Sequence, residues 1–385
     1  MTEPFGPPFR ADHVGSLLRP ERLKRARDEF LGAQTVDDNL GPHNNDDLCT
    51  VEDSCVHEVI ELQRRAGLRS ATDGEFRRRS WWLELIMGWD GVSATREGAK
   101  SPFSWRNEAG EQQKFSSLTL EGPIRWQPSS IVRAFAFLAA NVGDGVVPKV
   151  TIPAPQVVHC MVGGDQAVRD GPYDDVNAFW EDVVSAYCQE LAALTNAGAR
   201  YIQFDDTTIA FLCDPALRNV VRGWGKTPDD QLAEYARNMN RVIEALPDGV
   251  TTTLHQCRGN REGMWAAEGG YEFVAEVMFN DIDVDGYFLE YDNERAGTFE
   301  PLRFVPKGKV VALGLVSSKS PVLETVDMLK RRIEEASRFV TIERLSLAPQ
   351  CGFASSIGGN PLSEDEEVAK LSRIVEVARE VWCDA

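Results

Sequence analysis

Eight apolar, strand-forming runs, mostly separated by stretches of helical period, predict an α/β chain folded as a (β/α)8 barrel of the TIM type. Two further observations support this reading. Several of the runs end in His, Cys, Asp or Glu, as barrel strands do at the face where chemistry sits, and no internal repeat or low-complexity tract suggests another architecture. With 385 residues, 43% of them hydrophobic, the chain can bury a core of that size. Length alone admits two ordinary domains; the strand count favours one barrel over residues 1–385, with an insertion at about 87–145.

The elements follow in order. Phe9–Ser16 reads as a short first strand ending in a small-residue turn, where Gly15 and Ser16 leave backbone amides open to a ligand. From Pro20 to Arg65 the pattern is helical, interrupted by a Gly-Pro and Asn/Asp loop at 39–47 that holds a solvated His43. Leu68–Glu75 is the second strand. Between Met87 and Gly145 the helical period gives way to Gly-rich turns and short runs such as Phe115–Leu120, a β-rich insertion with some helix near 130–140. Trp105 and Trp126 read there as packing. Val146–Ile152 is the third strand despite Pro148, a residue better placed at a strand's start. A helix over Val176–Asn196, stopped by Gly198, leads to the fourth strand, Ala199–Asp206. The helix at Pro228–Leu246 opens with Pro in its first turn and precedes the fifth strand, which begins at Val250. A helix at Tyr271–Asn280 leads to the Glu290 strand. Lys309–Val316 is the seventh strand, Val322–Phe339 the next helix, Arg344–Leu347 the eighth strand and 363–382 the closing helix.

Composition excludes some partners. Sixty acidic against 41 basic residues give a net charge of -19, which repels both a phosphate backbone and an anionic membrane surface. No apolar run approaches a membrane span, and the start lacks a basic n-region with an apolar core behind it, so a cytoplasmic location is expected. Eight cysteines without regular spacing do not form a secreted disulfide framework. Cys49, Cys55, Cys160, Cys188, Cys213 and Cys383 read as structural or incidental.

The chemistry concentrates in Leu254-His255-Gln256-Cys257-Arg258-Gly259-Asn260, the end of an apolar, β-branched run. Residues two apart on a strand face the same way, so His255 and Cys257 can present an imidazole and a thiolate to one point. A lone His-x-Cys means little in a chain with five His and eight Cys. The signal grows because Tyr287–Asp292 carries Glu290, and Leu345–Gly352 carries Cys351, out of similar runs. His255, Cys257, Glu290 and Cys351 are the expected metal ligands, and zinc the expected ion. Ligands drawn from three strands of a barrel mouth point to catalysis rather than structure, with Glu290 the weak ligand that gives way to substrate. Zinc favours the thiolate form of a bound thiol, so a substrate sulfur is the expected nucleophile.

Glu75 and Asp205 are placed to hold a substrate ammonium, and Ser16 with nearby amides a carboxylate; the competing reading is that the acids pair with Arg77 or Arg78. Asp73 and Asp206 read as structural, and Arg258 is ambiguous. Lys319, just past the seventh strand, reads as a loop lysine or a catalytic one.

At these residues the sequence resembles the cobalamin-independent methionine synthase family, specifically its short single-barrel relatives. The likeness runs from His13-Val14-Gly15-Ser16 through Asp73-Gly74-Glu75, Ile202–Asp205 and His255-Gln256-Cys257 to Gln350-Cys351-Gly352. It implies zinc at His255, Cys257, Glu290 and Cys351, homocysteine at Val14, Gly15, Ser16, Glu75 and Asp205, and transfer of a methyl group from a small-molecule donor to the zinc-activated thiol. Lys319 and Asp205 are the catalytic candidates. There are departures. The long form's additional N-terminal barrel has no counterpart here, His159 stands where that form has a folate-stacking Trp, and Lys319 falls where it has a catalytic His. The competing functions are a zinc-thiolate alkyltransferase acting on another thiol or an epoxide, and a non-catalytic zinc-binding thiol sensor.

Overall fold

The computed structural model describes residues 6–32, 43–95, 103–114 and 116–382. Parallel strands dominate it. Six lie side by side in the order Leu345–Pro349, Val310–Val316, Gly286–Glu290, Thr251–Gln256, Tyr201–Asp206, Val150–Pro153. The third strand continues backwards through Val147–Pro148, which pairs in parallel with Ser70–Ala71. Pro148 explains the break between these pieces. Val147 N and Lys149 N donate to Arg69 O and Ala71 O on one side. The N–H that Pro148 lacks would point to the other side, so the ladder to the fourth strand begins only at Val150.

Closure of the barrel depends on the expected first strand, which shrinks to a single bridge. Ala11 pairs in parallel with Leu347, flanked by Asp12 N donating to Leu347 O at 3.1 Å and Leu347 N donating to Arg10 O at 2.8 Å. The cause is local: the Asp12 carboxylate accepts from Phe9 N and His13 N, offering the backbone an alternative to a ladder. Toward the second strand the tie runs through side chains, with Ser70 Oγ donating to Asp12 Oδ1 at 2.7 Å.

Inside the barrel, Val14, Phe288, Ala312 and Ala348 form a small apolar layer. Beneath it the buried Lys149 ammonium lies 4.0 Å from the Phe288 ring centroid and 3.5 Å from Asp12 Oδ1. Helices clothe the outside. Val176–Asn196 is capped by Asp175, and Pro228–Ile243 by Thr227 with Pro at its first position. The closing helix, Glu364–Val381, starts with a capping box between Ser363 and Glu366. The helix expected from Val322 begins at Val326, where Thr325 caps it, and the expected Tyr271 helix starts as a 3-10 turn.

Helices at Pro155–Val162 and Pro215–Arg222 were not legible. The first is buried on every side, so it carries no amphipathic period. Between the second and third strands, Asp90–Thr95 pairs antiparallel with Ser117–Arg125, Ser104–Arg106 pairs with Gln112–Lys114, and a helix spans Ser130–Asn141. Gly41, Pro42, Phe115 and Cys383 lie outside the described residues.

The Ser104–Arg106 hairpin folds over the carboxyl end of the barrel. Arg106 and Trp265 exchange both backbone bonds, at 2.8 and 3.0 Å, and the Arg106 guanidinium reaches Asp214 at 3.0 Å. A Cβ on Gly259 would lie 2.7 Å from the Trp105 ring, so glycine there lets the indole rest on the backbone that follows the fifth strand.

Candidate active site

The Thr251–Gln256 strand lies between Tyr201–Asp206 and Gly286–Glu290, with His255 in register with Asp205 on one side and Phe288 on the other. His255 Nδ1 lies 3.2 Å from Phe288 O, an acceptor for its N–H. That contact orients the ring so that Nε2 faces inward. The ligating atoms of His255, Cys257 and Cys351 lie within 4.8 Å of one another, and all three side chains are buried. The two Sγ atoms are 3.7 Å apart. Two thiolates bound at ~2.3 Å to a tetrahedral zinc would stand roughly 3.8 Å apart.

The sulfurs behave as a pair. Their mutual contact holds Cys351 well below the ordinary thiol range, helped by His255 and Lys319, whereas the same contact together with burial pushes Cys257 up. A site that keeps thiolate character in a buried place suits a borderline-soft cation, and two Cys plus one His is a zinc donor set.

Glu290 does not join that trio. It ends the neighbouring strand, wholly buried, with Oε2 accepting from Arg258 N at 2.7 Å. Its Oε1 lies 3.6 Å from Lys319 Nζ and 3.9 Å from Arg295.

A partly enclosed cavity opens onto the trio. Val14, Ser16, Glu75, Asp205, His255, Cys257 and Cys351 line it, as do Trp81 and Asn260. Among the residues expected at the site, Gly15, Glu290 and Lys319 are absent from this lining. Gly15 instead brings two elements together: at φ 140°, a Cβ there would sit 2.5 Å from Thr151 Cγ2. Thr151 Oγ1 in turn donates to Glu75 Oε1 at 2.7 Å.

Glu75 adopts a left-handed backbone, φ 60°, directly after Gly74 at φ 66°, and the Asp73 carboxylate accepts from its N–H at 2.9 Å. Such strain concentrates at ligand-holding positions. Burial raises the Glu75 carboxyl above its ordinary range; Arg78, 3.6 Å away, opposes this, and Oε2 is buried without a hydrogen-bond partner among the described residues. Arg77 pairs with Glu52 and Asp53 instead. Asp205 is pushed up to about 7, first by burial and further by Glu75, with His255 opposing. Two buried acids reluctant to ionise near each other favour a bound cation.

Residues 155–380 match the family model described as Cobalamin-independent synthase, catalytic domain. A Bacillus subtilis protein named only as uncharacterized protein YxjG is 39% identical over 98% of this chain and 95% of its own. The chain belongs to the cobalamin-independent synthase family. A crystal structure from Listeria monocytogenes, of a protein provisionally named a vitamin-B12-independent methionine synthase, superposes with a TM-score of 0.73 at 32% identity, covering 97% of this chain and 98% of that one. A protein named methionine synthase from Pyrococcus abyssi is 26% identical over 67% of this chain and 72% of its own. The Listeria structure shares the barrel expected from the sequence.

In this synthase-family chain several polar residues serve the scaffold. Asp206 lines the cavity, but its carboxylate accepts from Gln156, Gln256, Thr208 N and Ile209 N. The Arg258 guanidinium is spent on Gly269 O and lies 4.0 Å from the Tyr271 ring centroid. His159 stands apart from the cavity, in the Pro155–Val162 helix, bonded to Tyr235 and Asp165 and stacked on Trp180. His43, expected in solvent, contacts Glu52 at 3.0 Å.

Other residues were missed. Asn260 Nδ2 donates to Gly352 O at 2.7 Å, and Ser318 Oγ donates to the same oxygen at 2.9 Å, clamping the turn that carries Cys351. Asn260 stood in the His255 heptapeptide without an assigned role, so the signal was present. Trp81 carried none, since an isolated aromatic pair has no period. Trp81, Asn260 and Ser355 also border a second cavity, lined further by Trp105 and Arg261.

Proposed function

We propose that this chain is a zinc-dependent methyltransferase that moves a methyl group from a small-molecule donor to a thiol, with homocysteine as acceptor and methionine as product. The observation that carries this reading is the buried trio of His255, Cys257 and Cys351, with the sulfurs 3.7 Å apart at the floor of a cavity edged by two acids. Zinc there would lower the thiol's pKa and present it as a thiolate.

The chain's own groups supply the rest. Glu75 and Asp205 hold the acceptor's ammonium, the unpartnered Glu75 Oε2 being the acceptor atom that such a group satisfies. Val14 and Ser16 contact its carboxylate end. Lys319 and Asp205 are the proposed catalytic groups. Asp205, with a carboxyl held near 7, exchanges a proton at working pH; Lys319 places positive charge beside Glu290 and the Cys257 sulfur. The methyl–donor bond breaks as the sulfur–methyl bond forms, and the departing donor atom takes up a proton. Glu290 is the proposed exchangeable fourth group at the metal.

The test is a metal measurement joined to zinc-edge X-ray absorption before and after adding homocysteine. One zinc per chain and one added sulfur scatterer are expected. A protein that purifies without zinc and takes none up, or that retains full activity as Cys257→Ser, refutes the proposal.

A further inference from the structure

We propose that Gln203 is a positioning residue that holds the two ends of the acceptor subsite in register, joining the turn that takes the acceptor's carboxylate to the acid that takes its ammonium. The inference rests on the thiol-acceptor reading above and names a group that makes the site select a thiol carrying both charges.

The turn is held by its carbonyls. Because the first strand is reduced to a single bridge, residues 13–16 take their partners from four other parts of the chain. His13 O accepts from Lys149 Nζ at 2.5 Å, Val14 O from Gln203 Nε2 at 2.6 Å, Gly15 O from Thr72 Oγ1 at 2.6 Å and Ser16 O from Phe353 N at 2.9 Å. The C=O and N–H of a trans peptide point in opposite directions, so each tie also aims an amide. The N–H groups of Gly15 and Ser16 donate to no acceptor among the described residues, and Ser16 lines the cavity.

The Gln203 tie reaches further than the turn. Its Nε2 also donates to Asp205 Oδ1 at 2.6 Å. Tyr201, Gln203 and Asp205 alternate onto one face of their strand, and below this pair of bonds the Tyr201 hydroxyl donates to Asp12 Oδ2 at 2.8 Å. Both neighbours of the Gln203 side-chain nitrogen are acceptors, which fixes the orientation of the amide, and its two hydrogens serve one acceptor each. Gln203 is wholly buried, and its Oε1 has no hydrogen-bond partner among the described residues, so these two bonds set where the amide stands.

The consequence is a fixed spacing. The carboxylate and ammonium of homocysteine hang from one carbon, so the distance between their subsites must match a single covalent geometry. The shared amide sets that distance from the protein's side. A thiol carrying only one of the two charges draws no benefit from the match.

The experiment measures binding to the zinc-loaded protein by calorimetry. Homocysteine is compared with mercaptobutyrate, which lacks the ammonium, and aminopropanethiol, which lacks the carboxylate. Gln203→Met removes both bonds, and Gln203→Glu keeps the shape with at most one donor hydrogen. In both variants homocysteine is expected to weaken by about 5–150-fold more than the product of the losses for the two one-ended thiols, the usual range for coupling between sites. Zinc affinity, followed by chelator competition, should match wild type. Homocysteine that weakens by no more than that product, or only in proportion to a loss of zinc affinity, overturns the inference. A wild-type protein that binds homocysteine no more tightly than the one-ended thiols overturns the underlying reading instead.

Discussion

Gly15→Ala tests whether the cavity wall is built as described. The added methyl would sit 2.5 Å from Thr151 Cγ2, but 3.4 Å from Thr151 Oγ1 and 3.5 Å from its Cβ, so one atom carries nearly the whole clash. Thr151 is buried among the barrel strands and cannot turn away without dropping its 2.7 Å bond to Glu75 Oε1. Overpacking of this kind costs about 1–3 kcal/mol. Holding a non-glycine residue at φ 140° adds about 1–3 kcal/mol. The combined loss of about 2–6 kcal/mol is a large share of the ~5–15 kcal/mol that stabilises most folded proteins. Urea denaturation of the single variant should show it as a fall in midpoint at unchanged slope. Thr151→Ser removes Cγ2 and keeps the hydroxyl that Glu75 needs. Gly15→Ala with Thr151→Ser should therefore recover the packing part and retain the backbone part. The same pair should show weakened, then restored, homocysteine binding. A Gly15→Ala protein within about 0.5 kcal/mol of wild type, or a second substitution that restores nothing, refutes the reasoning.

Three other outcomes follow from the same geometry. Cys257→Ser should lower zinc affinity by more than the ~10–100-fold typical of changes in groups that only support a ligand, measured by chelator competition; retained stoichiometric zinc under mild chelation would contradict the trio. Glu75→Gln should raise the KM for homocysteine about 10–100-fold, the worth of a charge-assisted bond of about 1.5–3 kcal/mol, while leaving a thiol without an amine nearly unaffected; an equal effect on both thiols would remove the ammonium role. Burial pushes Glu367 up to about 8 while its Oε1 accepts from Leu18 N at 2.9 Å. A carboxyl raised above its unfolded value contributes stability that is complete below about pH 4.3 and is lost as pH rises through about 8. Glu367→Gln should flatten that part of the profile, so the difference in Tm between variant and wild type should grow in the variant's favour from pH 5 to pH 8; a constant difference would show that the carboxyl does not titrate there.

The parts legible in the sequence are those where one local rule acts alone. Val176–Asn196 coincides with its expected helix because an Asp cap, an unbroken apolar stripe and a following glycine all agree. The strands from Tyr201 to Pro349 were readable because both faces are buried, so apolar, aromatic and β-branched residues recur in each run before its polar end. His255 and Cys257 were placed together by strand alternation, Cys351 was expected from the end of the last strand, and the structure groups these three. The first strand failed because Asp12 satisfies the backbone locally, which a hydrophobic pattern does not register.

Glu290 and Lys319 mark the deeper limit. Spacing along a strand places a carboxylate at the barrel mouth but does not say which way its last torsion turns, because that depends on the charges brought in by other loops. Here the nearer cation comes from the loop after the next strand, held by a polar clamp whose members, Asn260, Ser318, Gln350 and Asn360, derive from three different connections. Each of these residues alone is an ordinary loop side chain. Their meaning arises only when the barrel closes and sets an ammonium 3.6 Å from the carboxylate. The sequence therefore identifies candidate metal-binding groups, whereas the packed loops determine which charges face each of them.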